Sequence, residues 1–85
     1  MAYVYSDDFF DYIEQGAMRS ARNVVRTLMP LLRVQSVLDV GCGRGAWLRV
    51  WSEEGVQKIL GIDGSYVEPA KLLIPRECFM PKNLS

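Results

Sequence analysis

The sequence contains no histidine, and its two cysteines, Cys42 and Cys78, are too few for a disulfide framework. Without histidine the chain has no imidazole for acid–base catalysis, and none of the usual Cys/His patterns of zinc sites. We therefore expect no metal site. Because so little cysteine gives no sign of an oxidising compartment, the expected location is the cytoplasm.

The chain also lacks an excess of charge and a long apolar run. Its ten basic residues balance ten acidic ones, so no general attraction to nucleic acid or to a membrane surface is expected. No apolar run approaches the roughly 20 residues of a membrane span, and the N-terminus lacks the pattern of a signal peptide. With 49% apolar and 24% charged residues, the composition is that of an ordinary globular protein.

The first part of the chain, residues 1–35, is predicted to be helical. Its apolar residues recur at spacings of three and four, as one face of a helix requires. They are Phe10, Ile13, Ala17, Ala21, Val24, Leu28 and Leu31. Pro30 cannot donate a backbone hydrogen bond and so predicts the end of the helix, whereas Gly16 leaves open a break into two helices.

The remainder, residues 36–85, is predicted to contain a strand, a helix and a second strand. The runs Ser36–Val40 and Lys58–Asp63 are typical of buried strands, and helical spacing extends over Ala46–Glu54 between them. Cys78–Met80 predicts the start of a short third strand. This order favours parallel strands joined by right-handed crossovers, so the predicted fold class is α/β, with about three parallel strands preceded by a helix.

A turn rich in glycine joins the first strand to the following helix, with Gly41, Gly43 and Gly45 in five residues. Glycines let the backbone approach a ligand closely and adopt positive φ, and the helix N-terminus behind them offers unpaired N–H groups. Asp63 follows Gly41 by 22 residues, at the end of the next strand. A carboxylate at that place accepts hydrogen bonds from ribose hydroxyls, so the pattern predicts a nucleotide-like ligand.

Two classes of ligand remain open on this pattern. Read as Gly41-x-Gly43-x-x-Ala46, the loop matches the looser form of the dinucleotide-binding pattern. Asp39 precedes the first glycine by two residues and argues against a dinucleotide, because a carboxylate at the mouth of the loop repels pyrophosphate. An acid there suits a ligand that carries an amine or a sulfonium.

The loop closely resembles motif I of the class I S-adenosylmethionine-dependent methyltransferases, in the run Val37-Leu38-Asp39-Val40-Gly41-Cys42-Gly43-Arg44-Gly45. The run Gly61-Ile62-Asp63-Gly64 looks like their acidic second motif. The resemblance extends from about residue 9 to residue 85. It implies that residues 1–85 form a single, partial Rossmann-like domain, the N-terminal portion of the methyltransferase sheet, with the cofactor-binding unit in residues 36–85.

The resemblance also implies the cofactor, S-adenosylmethionine, with S-adenosylhomocysteine as its product. It implies that the glycine backbone approaches the methionine part, that Asp39 orients the loop or holds the amino group, and that Asp63 binds both ribose hydroxyls. Asn83 stands where the family commonly has an aspartate that accepts from the adenine amino group, and an amide oxygen still accepts that bond without the charge. The implied binding residues are Asp39, Gly41, Cys42, Gly43, Gly45, Asp63, Gly64, Ser65, Tyr66 and Asn83.

A complete enzyme of this class has a seven-stranded sheet whose later strands build most of the acceptor pocket. We therefore expect an S-adenosylmethionine-binding methyltransferase that is truncated and lacks the acceptor half, and we assign no catalytic residue. The alternatives are a non-catalytic oligomeric module that keeps the fold, and a dinucleotide-binding protein. An open edge on the first strand predicts a homodimer, joined through that edge or by exchanged helices.

Overall fold

The computed structural model describes the backbone of residues 7–83 and the side chains of residues 11–83, so the ends of the predicted domain, 1–6 and 84–85, lie outside the described residues. Two helices and three strands follow one another along the chain, with two short 3₁₀ turns, at 69–71 and 76–78, before the last strand. They are α1 (Asp7–Leu28), β1 (Ser36–Val40), α2 (Ala46–Glu53), β2 (Lys58–Asp63) and β3 (Phe79–Pro81). No helix among these residues is both long and apolar enough to cross a membrane.

The three strands form one parallel sheet in the order β1-β2-β3, which confirms the predicted α/β fold. Asp39 lies opposite Gly61, and Asp63 lies opposite Pro81. Because parallel strands all end at the same edge of a sheet, this register places Asp39 and Asp63 at one edge, beside the loop that follows β1. The fold thus brings both predicted carboxylates to the predicted binding loop.

Only one face of the sheet is covered in the described part of the chain. Gly61 lies on the covered face, where a Cβ atom would stand 2.8 Å from the Leu48 side chain of α2. On the opposite face Leu38 and Val40 are each 60% exposed, and Met80 is 45% exposed. Side chains alternate along a strand, so this exposed apolar surface follows from a sheet with helices on one side.

Helix α1 packs on α2, and Ala21, Val25 and Val50 form the buried cluster between them. The helix is continuous, so the break left open at Gly16 does not occur. It ends at Leu28, close to the end that Pro30 predicts.

The predicted apolar face of α1 is only partly correct. Ala21 is buried, but Ile13 and Val24 are exposed, and Leu31 is exposed beyond the end of the helix. A helix of 22 residues is about 33 Å long, whereas its partner α2 has eight residues and is about 12 Å long. α2 therefore covers only part of α1, and the apolar residues outside that contact stay exposed.

Candidate functional site

The loop between β1 and α2 has three glycines in the left-handed region, with φ of 81° at Gly41, 58° at Gly43 and 90° at Gly45. L-residues rarely adopt these angles, which explains the glycines that the motif shows. Four backbone N–H groups of the loop donate to acceptors within the protein. They belong to Gly41, Cys42, Gly43 and Gly45. Three of these four bonds end on β2, two at the Ile62 carbonyl and one at the Asp63 carboxylate, so the loop is held to the end of β2.

Asp63 ties this loop to the end of β2. The residue is only 5% exposed, and its carboxylate accepts hydrogen bonds from the backbone N–H of Gly43 and of Gly64, each at 2.7 Å. The Tyr66 hydroxyl donates a third, at 2.5 Å. Burial raises the pKa of Asp63, but the hydrogen bonds from Tyr66, Gly64 and Gly43 outweigh it, so the pKa lies below its ordinary value. Asp63 is therefore an ionised, fully positioned acceptor.

Asp39 and Cys42 lie close enough to this carboxylate for its charge to raise their pKa values. Burial raises the pKa of Asp39, and the charge of Asp63 raises it further. Burial, Asp39 and Asp63, in that order, raise the pKa of the Cys42 thiol to about 11. Because a thiol with this pKa is protonated at neutral pH, Cys42 is not an activated nucleophile. The two carboxylates make this end of the sheet locally negative.

A cavity of about 420 Å³ lies between α1, the glycine loop and the segment that follows β2. Small-molecule sites commonly measure about 300–1,000 Å³, so the cavity is large enough for a ligand of nucleoside size. Its lining residues are Ile13, Glu14, Ala17, Cys42, Gly43, Arg44, Ala46, Trp47, Tyr66, Val67, Glu68 and Lys71. Asp63 does not line the cavity, but it bonds to two residues that do, Gly43 and Tyr66.

A family model described as a methyltransferase domain matches residues 11–84. The chain belongs to this methyltransferase domain family. The match spans the glycine loop, both carboxylates and the cavity, and it confirms the resemblance that the sequence motifs indicate. No curated protein and no solved structure matches the chain.

The methyltransferase domain brings three of the predicted binding residues to the cavity wall: Cys42, Gly43 and Tyr66. The others lie outside it. Gly45 is buried against Ile74, whose side chain would be 3.0 Å from a Cβ at position 45. Gly64 is buried too, whereas Gly41, Ser65 and Asn83 are exposed, the last of these after the end of β3.

Several lining residues were missed by sequence reasoning, most notably Glu14 and Arg44. The guanidinium Nη1 of Arg44 lies 3.6 Å from a carboxylate oxygen of Glu14 and 3.6 Å from one of Asp11. These ion pairs connect α1 to the glycine loop, and Glu14 and Arg44 form part of the cavity wall. The one feature of the sequence that could have pointed to Glu14 as a lining residue is its position, because this acidic residue lies directly beside the apolar positions of α1. Trp47 packs on the core and also lines the cavity.

Proposed function

We propose that this methyltransferase domain binds S-adenosylmethionine at the edge of the sheet where β1 and β2 end. The observation that carries the proposal is Asp63, a buried and ionised carboxylate fixed to the glycine loop through Gly43 and placed beside the cavity through Tyr66. A carboxylate at the end of the second strand is the acceptor that a ribose diol requires. Asp63 would hold the ribose, with Gly64, Ser65 and Tyr66 near the adenine and Asn83 as an acceptor for its amino group.

Two features favour this cofactor over a dinucleotide. A dinucleotide loop directs its backbone N–H groups at the pyrophosphate, whereas here the N–H groups of Gly41, Gly43 and Gly45 donate within the protein. Burial and, after it, the charge of Asp63 raise the pKa of Asp39, so both the burial and the existing charge disfavour a further negative charge at this site. A pyrophosphate is disfavoured there, and the positive charge of a sulfonium is favoured.

When bound, S-adenosylmethionine supplies an electrophilic methyl group, and transfer to a good nucleophile depends mainly on proximity and alignment. The contribution of this chain is to bind and orient the donor. Asp39 would face the amino group of the methionine part, directly or through the loop. The glycines at 41 and 43 leave open space where side chains would otherwise stand, since no atom lies within 4 Å of a Cβ built at either position.

Calorimetric titration with S-adenosylmethionine, S-adenosylhomocysteine and NAD tests the proposal. We expect both adenosyl compounds to bind more tightly than NAD. Asp63→Asn keeps the shape of the side chain but removes its charge, and it should weaken binding by at least about tenfold, the value of one hydrogen bond to a charged group. Glu77→Gln is the matched control because Glu77 is exposed in the second 3₁₀ turn, outside the cavity wall.

Circular dichroism of Asp63→Asn distinguishes loss of the ligand contact from loss of the fold. Equal or tighter binding of NAD would contradict the choice of cofactor. An unchanged affinity of the adenosyl compounds for Asp63→Asn would contradict the role of Asp63.

We also propose that two copies of the 85-residue chain associate through the open edge of β1. This strand is at the edge of the sheet, and among the described residues only β2 pairs with it. Antiparallel pairing about a two-fold axis at Leu38 would place Val37 opposite Asp39 of the second copy, and Ser36 opposite Val40. No like charges face each other in this register, and the two exposed Leu38 side chains meet on the bare face.

A further inference from the structure

The Tyr66 side chain lies across the carboxylate that the proposed function assigns to ribose binding. Tyr66 is 76% exposed, yet its hydroxyl donates to Oδ1 of the buried Asp63. Its ring lies over Gly64, where an added Cβ would stand 2.5 Å from the ring atom Cε1. An exposed aromatic side chain thus covers a buried, ionised group.

The acceptor positions of Asp63 are almost all in use. A carboxylate has about four lone-pair positions, two on each oxygen. Oδ1 accepts from the Gly64 N–H and from the Tyr66 hydroxyl, and Oδ2 accepts from the Gly43 N–H. A vicinal diol that binds a carboxylate with both hydroxyls needs one position on each oxygen. Oδ2 has one to offer, and Oδ1 has none while Tyr66 is bound.

The three donors to Asp63 differ in how readily they can leave. Two are backbone N–H groups, at Gly43 in the glycine loop and at Gly64 beside the carboxylate itself. The third is the end of an exposed side chain, which can change rotamer without moving the backbone. Tyr66 is therefore the donor that a ligand can displace.

We propose that the Tyr66 hydroxyl occupies the position of a ribose hydroxyl on Asp63, and that a ribonucleoside binds with both hydroxyls only after displacing it. This inference rests on the proposed function, because it takes the ligand to carry a ribose. The exchange replaces one hydroxyl donor by another, so the carboxylate keeps its hydrogen bonds throughout. A ligand with a single hydroxyl could use Oδ2 alone and would leave Tyr66 in place.

Only molecules in which Tyr66 has left Asp63 can bind a ribonucleoside with both hydroxyls. The observed affinity is therefore the intrinsic affinity multiplied by the fraction of such molecules. Tyr66→Phe keeps the ring and removes only the competing donor. We expect S-adenosylhomocysteine to bind about three- to tenfold more tightly to Tyr66→Phe than to the unaltered chain, as loss of one competing hydrogen bond predicts. Tyr12→Phe is the matched control, since Tyr12, on α1, is 71% exposed and lies outside the cavity wall.

A second measurement uses the unaltered chain. The hydrogen bond to Asp63 raises the pKa of Tyr66, with burial and the charges of Asp63 and Cys42 adding to it. The Cζ NMR signal of Tyr66, assigned by its absence in Tyr66→Phe, reports this pKa. Saturation with S-adenosylhomocysteine should lower the pKa toward the ordinary value of a tyrosine, because the phenol has left the carboxylate.

The outcomes separate the two proposals. Tighter binding to Tyr66→Phe together with a lower Tyr66 pKa in the complex supports the exchange. If the ligand binds both proteins equally and the Tyr66 pKa stays unchanged, the exchange is wrong and the proposed function stands. Weaker binding to Tyr66→Phe would also overturn it, because the hydroxyl would then contribute to binding. If the ligand binds to neither protein, the proposed function fails and the exchange fails with it.

Discussion

Replacing Asp39 by asparagine should stabilise the methyltransferase domain and weaken its affinity for a cationic ligand. Asp39 lies at the end of β1 opposite Gly61, and burial and the charge of Asp63 raise its pKa. A raised pKa means that the folded state disfavours the ionised form of this group. The ionised carboxylate at neutral pH therefore lowers the free energy of unfolding, and an amide of the same shape relieves that effect.

The magnitude and the pH dependence follow from the same observation. Asp39 is only half-buried, so solvent screens the repulsion and the gain should be less than about 1 kcal/mol. Below the unfolded-state pKa of about 3.9, Asp39 is protonated in both states, and its contribution to the free energy of unfolding is fully favourable. This contribution is lost as the pH rises through the higher folded-state pKa, because the carboxylate then ionises in the folded protein. The difference between Asp39→Asn and the unaltered chain should therefore be largest at neutral pH and shrink in acid.

Urea unfolding at pH 4 and pH 7, at low and high salt, measures this difference. Added salt should reduce the gain at pH 7, because salt screens the repulsion between the two carboxylates. Titration with S-adenosylmethionine measures the accompanying loss of affinity. A variant that is less stable at pH 7, or a gain that does not depend on pH, would refute the reasoning.

Three further predictions concern the glycine loop, helix α1 and the edge of the sheet. Gly45→Ala should lower the free energy of unfolding by about 1–3 kcal/mol, because φ is 90° there and the Cβ would meet Ile74. Gly16→Ala, in the open middle of α1, should instead raise it by about 0.5–1 kcal/mol in the same urea assay. Analytical ultracentrifugation should show a dimer that Leu38→Lys dissociates and that Met80→Lys, on the same face but on β3, leaves intact. A monomer in the unaltered chain, or equal dissociation by both lysines, would contradict pairing through β1.

The elements of the sheet could be predicted because their signals are local. The β-branched runs at 36–40 and 58–63 and the glycines between them specify strand, turn and strand within a few residues, and these two strands have the predicted limits. The third strand begins at Phe79, one residue after the predicted start at Cys78, which lies in a 3₁₀ turn. Asp63 could be placed because it ends the second strand, and the carboxyl ends of parallel strands lie at the same edge of a sheet. Each of these inferences needed only neighbouring residues and the period of a strand.

The walls of the cavity could not be predicted, because they depend on how distant segments pack. Nothing near Glu14 in the chain indicates that it will meet Arg44, 30 residues later. Val25 is buried and Val24 is exposed, because the position of α2 determines which side of α1 is covered. A helical period identifies an apolar face only approximately when a long helix is covered by a short one.

Asp63 links the stability of the domain to its binding. The same carboxylate that would bind a ribose also holds the glycine loop through Gly43, so its charge is needed in the ligand-free fold as well. Its pKa is lowered by these bonds, so its contribution to stability is present above its unfolded pKa and is lost as acid protonates it through the lower folded value. Asp39 has the opposite effect, because its ionisation opposes folding. The edge of the sheet therefore holds one carboxylate that stabilises the fold and one that destabilises it, and a cationic nucleoside is the ligand that would relieve the repulsion between them.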